Sequence, residues 1–147
     1  MEPGAAPGTS APRRGAPLTA FIDTNIIIRH LTGDPPGMAR RATAALASGE
    51  PLLLCDVVLA ECIYVLASVY EVPSARVAHL MRSVIAHPTI VTIDTPVLLR
   101  ALAIYEHERL GFADAYLAAQ AEGTGVREVL SFDRALDRVT AITRREP

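Results

Sequence analysis

Lysine is missing from this chain of 147 residues, and all fourteen basic side chains are arginine. That excludes Schiff-base chemistry and a phosphate-binding P-loop, both of which need the lysine amine. A positive excess is missing as well, since 16 acidic residues against 14 basic ones leave a formal charge of −2. Proteins that hold nucleic acid by passive attraction carry a basic surface. A phosphate-bearing ligand would therefore need local help here, from a metal ion or from arginines clustered in space. No apolar run reaches the length of a membrane span, because Glu61 interrupts the longest stretch, between Asp56 and Glu71. The N-terminus lacks the charged start and continuous apolar core of a signal peptide. Together these features assign the protein to the cytoplasm, with no membrane partner. Cysteine is scarce: Cys55 and Cys62 lie seven residues apart across an expected strand-to-helix junction. Their spacing is not that of a zinc site. Two thiols in apolar segments of a cytosolic chain read as reduced core residues rather than a disulfide, although their number allows one.

What the chain does have is apolar content, about 50%, enough for one core in a single domain. Residues 1–17 are rich in Pro, Gly and Ala without hydrophobic periodicity, and read as a flexible leader or as sequence upstream of the true start. The domain proper is expected over residues 18–147. Short apolar strands are expected at residues 18–22, 52–55, 89–93 and 128–131, with an edge strand at 140–143. Helical spacing separates them. Asp34-Pro35 marks a helix start with Asp as N-cap, Asp56 and Asp94 read as further caps or entry turns, and Gly33, Gly49 and Gly111 mark helix ends. Strands alternating with helices argue for an α/β fold whose mostly parallel sheet of four to five strands is covered on both faces.

Four acidic residues stand where such a fold has little structural use for them. Asp23, Glu61 and Asp133 follow or interrupt apolar runs, in Phe21-Ile22-Asp23, Leu59-Ala60-Glu61-Cys62-Ile63 and Leu130-Ser131-Phe132-Asp133. Asp114 opens a helical stretch. A carboxylate in apolar surroundings is expensive without a partner. Ligands of parallel α/β sheets bind beyond the carboxyl ends of the strands, and all four acids are expected at that edge. Each has an ordinary reading of its own. Asp114 would stabilise a helix macrodipole, and Asp133 before Arg134 would start a turn. Glu61 is harder to explain so, being the only charge between Asp56 and Glu71. Asp137 reads as a surface acid. His30, His79, His87 and His107 form no ligand pattern, and no nucleophile elbow supports serine chemistry.

The segments Phe21-Ile22-Asp23-Thr24-Asn25-Ile26-Ile27-Ile28-Arg29, Leu59-Ala60-Glu61, Phe112-Ala113-Asp114-Ala115-Tyr116-Leu117-Ala118 and Ser131-Phe132-Asp133 resemble the PIN domain, and more narrowly the VapC-type ribonuclease toxins of bacterial toxin–antitoxin pairs. Each fragment is short, and their order and spacing carry the match from about Leu18 onward. The resemblance implies a PIN-like three-layer α/β/α sandwich. It implies that Asp23, Glu61, Asp114 and Asp133 bind one or two Mg²⁺ or Mn²⁺ ions and cut RNA, with Thr24 and Asn25 supporting the first aspartate. It also implies a homodimer held inactive by a cognate antitoxin. Carboxylates suit these cations, which prefer oxygen ligands.

Rival readings remain at this point. A phosphatase of the haloacid dehalogenase type also places an Asp after its first strand, but needs a second Asp where this chain has Asn25, and usually a lysine. A PIN nuclease for RNA processing or decay without an antitoxin is closer, as is a PIN-like domain that binds RNA or protein without cutting. An antitoxin would be expected on the apolar helices at residues 57–70 and 74–87, a surface whose other explanation is burial in the sheet or a dimer.

Overall fold

The computed structural model describes residues 17–18 and 20–147; the expected leader lies, apart from Pro17, outside them. The fold is α/β. In chain order the elements are β1 (Ala20–Phe21), α1 (Thr24–Thr32), α2 (Pro36–Ala47), β2 (Leu52–Leu54), α3 (Asp56–Ser68), α4 (Ser74–Ile85), β3 (Ile90–Thr92), α5 (Thr95–His107), α6 (Phe112–Thr124), β4 (Glu128–Leu130) and β5 (Thr143–Arg145), with a 3₁₀ turn at Arg134–Arg138. All strand pairs are parallel, as the alternation of strands and helices predicts. They are hydrogen-bonded in two groups, β1-β2-β3 and β4-β5. Ala20 faces Leu52 in register, and Leu52 faces Ile90. The last strand exists but starts at Thr143, where it pairs with Glu128, three residues beyond the expected start.

Helix α3 shows how the pattern works. Leu59, Cys62, Ile63 and Leu66 recur at spacings of three and four and are buried, whereas Val57, Glu61, Tyr64 and Ser68 form the opposite, exposed stripe. The segment that looked apolar throughout is thus a half-exposed helix. Helices α5 and α6 pack through Ala101, Ala115, Ala118 and Ala119, whose small side chains let the backbones approach. Tyr105 and Phe112 close the end of that contact edge to face, with centroids 6.2 Å apart at 77°. Around β4 and β5, Arg144 is nearly buried, bonded to Asp137 at 3.0 Å and donating to the Ser131 carbonyl at 3.0 Å. Asp137 is accordingly a surface ion-pair partner, as expected.

The cap assignments fare unevenly. Asp94 caps α5, accepting from the Val97 amide at 3.1 Å. Asp34 does not cap α2, whose N-cap is Pro35. Its carbonyl instead accepts from Arg29 Nη1 at 3.1 Å. Gly33 ends α1 at φ 72°, with its amide on the Arg29 carbonyl, so the left-handed turn and not crowding is what calls for glycine. No helix among the described residues is long and apolar enough to cross a membrane.

Leu59 is fully buried under the middle of α3. Leu59→Ala should cost about 2–5 kcal/mol of stability, the usual range for such a cavity. The measurement is the urea midpoint at unchanged helix content.

Candidate active site

The site begins where β1 ends. Asp23 takes the N-cap position of α1 with extended backbone (φ −93°, ψ 158°), yet its side chain makes no capping hydrogen bond. Aspartate is among the best capping residues, and a cap contributes about 1 kcal/mol. That contribution is forgone, and the carboxylate stays exposed to solvent. The next residue, Thr24, is buried at 6% exposure, and its Oγ1 donates to Glu61 Oε2 at 2.6 Å, joining the β1–α1 corner to α3 across 37 residues. A hydroxyl on a carboxylate at that distance is a strong, charge-assisted bond. It fixes one rotamer of a Glu side chain that exposure would otherwise leave free. Thr24 therefore serves Glu61 directly, where the resemblance assigned it to the first aspartate.

Cys62 reports how close the two acids are. Burial pushes its thiol up to about 12, with the negative charges of Glu61 and then Asp23 adding to the effect. Asp23 and Glu61 thus bear on one sulfur atom from two segments of the chain. Both cysteines are free, Cys62 buried and Cys55 half-buried, as expected.

Asp114 lies in the first turn of α6 and is half-buried. The first turns of α3 and α6 face each other across a cleft of about 380 Å³ lined by Asp56, Val57, Ala60, Phe112, Ala113 and Tyr116. Ala60 and Ala113, which line it, immediately precede Glu61 and Asp114, and the two acids themselves are not among the lining residues. Asp133 is differently occupied. Its Oδ1 accepts from the Ala135 amide at 2.9 Å, capping the 3₁₀ turn, while its own amide donates to Ser131 Oγ at 3.0 Å. No cluster of three or more His, Cys, Asp or Glu side chains poised to hold a metal occurs among the described residues. None of the four acids is buried. The cost of an apolar setting, which drew notice to them, is not paid at this site; what distinguishes Asp23 and Glu61 is their company.

One polar link escaped the sequence. Asp56 is not the N-cap of α3, a place taken by Cys55. Its Oδ2 accepts from Tyr116 Oη at 2.5 Å, and that hydroxyl accepts from Gln120 Nε2 at 2.8 Å. The Asp56 carboxylate, followed by burial, raises the phenol above its ordinary value. This network spans 60 residues and ties α3 to α6 beneath the cleft. Tyr116 stands two residues after Asp114, but nothing local announces its partner. Two of the histidines prove to be neighbours: burial, then the nearby His87, lowers the pKa of His30. They are held by Thr43 and Thr89 and do not reach the acids.

A family model of the PIN domain matches residues 20–142, and no curated protein matches the chain.

The thiol supplies a prediction with a definite sign. Between pH 9.0 and about 12 the unfolded chain surrenders the Cys62 proton while the folded protein keeps it. Stability contributed by the neutral thiol is therefore complete below pH 9 and lost as pH rises through that window, at up to about 1.4 kcal/mol per pH unit. Urea midpoints measured against pH should fall more steeply above pH 9 for the wild type than for Cys62→Ala. In the native protein an alkylating reagent should modify Cys55 and spare Cys62.

Proposed function

The chain belongs to the PIN domain family, and on that premise we propose that it is a metal-dependent endoribonuclease acting as the toxin of a toxin–antitoxin pair. The observation that carries this reading is the hydrogen bond from Thr24 to Glu61, which fixes one carboxylate beside a second, Asp23, at the carboxyl end of β1. The donor set fits a hard cation. Mg²⁺ takes only oxygen ligands and is commonly held by one or two carboxylates with waters completing its shell. Bound there, Mg²⁺ or Mn²⁺ would polarise a phosphoryl oxygen and acidify a water.

The remaining work falls to the chain itself. Asp23 and Glu61 provide the negative charge that binds the cation and, through it, offsets repulsion between the acids and an RNA backbone. Thr24 holds Glu61 in place, and Asn25, exposed in the first turn of α1, offers an amide donor to a phosphate oxygen. We assign Asp114, in the first turn of α6, as a third carboxylate of the site. Asp133 keeps Oδ2 out of its turn, and we assign that atom to orienting water. Homodimer formation and an antitoxin partner belong to the same proposal. Its support is the exposed stripe of α3 beside Glu61, where Val57 and Tyr64 are exposed at 74% and 68%. Apolar residues this exposed and this close together mark a surface that another protein covers.

The test is cleavage of single-stranded RNA by purified protein with Mg²⁺ or Mn²⁺, abolished by EDTA. Asp23→Asn removes charge without volume and should lower the rate by about 10²–10³ while leaving the fold intact. Thr24→Val should lower it about 10–100-fold, the usual cost of losing a group that orients a metal ligand. Wild-type activity in Asp23→Asn would sink the metal-site assignment. Induction of the wild type, but not of Asp23→Asn, should arrest growth of the host, and arrest by both would dissociate toxicity from cleavage. Mg²⁺ at about a hundredfold excess over its Kd should add about 2.7 kcal/mol of stability, seen as a higher Tm that Asp23→Asn lacks.

A further inference from the structure

Four arginines are matched with carboxylates: Arg82 with Glu106 at 2.6 Å, Arg100 with Glu122 at 2.8 Å, Arg144 with Asp137, and Arg145 with Glu128. Arg76, Arg109, Arg127, Arg134 and Arg138 have no ion pair among the described residues either, and what sets the α1–α2 corner apart is that two such arginines share one cleft. Arg29 of α1 is half-buried, gives one N–H to the Asp34 carbonyl, keeps Nε buried without a partner, and has no carboxylate within ion-pair distance among the described residues. Arg40 and Arg41 of α2 are exposed and make neither hydrogen bond nor ion pair among those residues. In a protein of formal charge −2, this is a local concentration of unneutralised positive charge. A guanidinium drawn partly out of water without a counter-charge is costly. An anion seated there would remove that cost.

Arg29 and Arg41 line one cleft of about 290 Å³ together with Asn25, Ile26, Met38 and Ala42. Asn25, which lines it, follows Thr24, the residue bonded to Glu61, so the cleft lies along the same helix that begins at Asp23. Its wall is mixed, because Ile26 and Met38 are apolar yet 36% and 42% exposed. An apolar strip flanked by two forked cations matches a nucleotide, whose ribose and base present flat, weakly polar faces and whose phosphate accepts two parallel hydrogen bonds from a guanidinium.

Building on the ribonuclease reading above, we propose that the α1–α2 cleft holds the nucleotide next to the cut bond of a single-stranded RNA, with Arg29 and Arg41 on its phosphates and Ile26 and Met38 against its ribose or base. The arginines are positioning residues. They set where the strand runs after it leaves the acids, and they supply the local positive charge that the overall composition withholds. Because phosphates are common to every sequence, this contact fixes register and strength of binding and does not read the base.

Binding can be separated from cutting in the Asp23→Asn background, using a labelled single-stranded RNA oligonucleotide and fluorescence anisotropy from about 50 to 200 mM salt. Arg41→Gln, an exposed change that leaves the fold undisturbed, should weaken binding about tenfold and reduce the slope of log K against log salt by about 0.7, the value for one phosphate contact on a single strand. Adding Arg29→Gln should remove a similar increment, with thermal unfolding confirming that the double variant is folded. Arg76→Gln, at the start of α4, should change neither quantity beyond error. RNA affinity and salt slope unaltered by Arg41→Gln and by the double variant would overturn the proposal and leave the cleft to another anion, such as an acidic protein segment. A loss equal to that of Arg76→Gln would overturn it too, as general attraction. If the Asp23→Asn protein binds no RNA at all and the wild type cuts none, the ribonuclease reading itself has failed; binding and cutting that ignore Arg41 refute only the cleft.

Discussion

The bond from Thr24 to Glu61 is the contact on which the candidate site depends. It runs from the first turn after β1 to the middle of α3 and holds an exposed glutamate to a buried threonine. Without it, Glu61 would be one more solvated charge on an exposed helix stripe. With it, Glu61 is anchored to the residue that follows Asp23, which brings the two carboxylate-bearing segments together. Such an arrangement repels itself, so a cation is what would balance it.

The fold makes this contact by packing helices rather than by an extended sheet. Strands β1, β2 and β3 contribute two or three residues each, enough to set the parallel order but little more. The most extensive packing is of helix on helix, α5 with α6, α1 with α2 and α4 with α5, and α3 also rests on α1. The Asp56–Tyr116–Gln120 chain of hydrogen bonds ties α3 to α6 at the cleft between them. Stability and geometry thus share the same joints. On the other side of α1, Arg29 and Arg41 share a cleft and find no carboxylate among the described residues.

Helical periodicity made α3 and α4 legible, because Leu59, Cys62, Ile63 and Leu66, or Val77, Ala78, Met81, Val84 and Ile85, repeat at the spacing of a buried face. Asp94 was readable as a cap because its partner, Val97, is three residues away. Asp34 and Asp56 look identical to it in sequence and do something else. The first gives way to the following prolines at the start of α2, and the second finds a stronger partner in Tyr116, 60 residues on. Glu61 was noticed for a sound reason joined to a wrong one: it is the lone charge in its segment, but the segment is an exposed stripe and not a buried run.

The sequence by itself determined the α/β class, the parallel order implied by alternating strands and helices, and the family, matched over residues 20–142. These are properties of local spacing, and spacing is what a linear chain displays. Which acids meet was decided only in three dimensions. Glu61 is bonded to Thr24, the residue after Asp23; Asp114 lies in the first turn of α6; and Asp133 is taken up in part by its own turn. The choice of a hydrogen-bond partner depends on which side chains packing brings within about 3 Å, and no local pattern carries that distance.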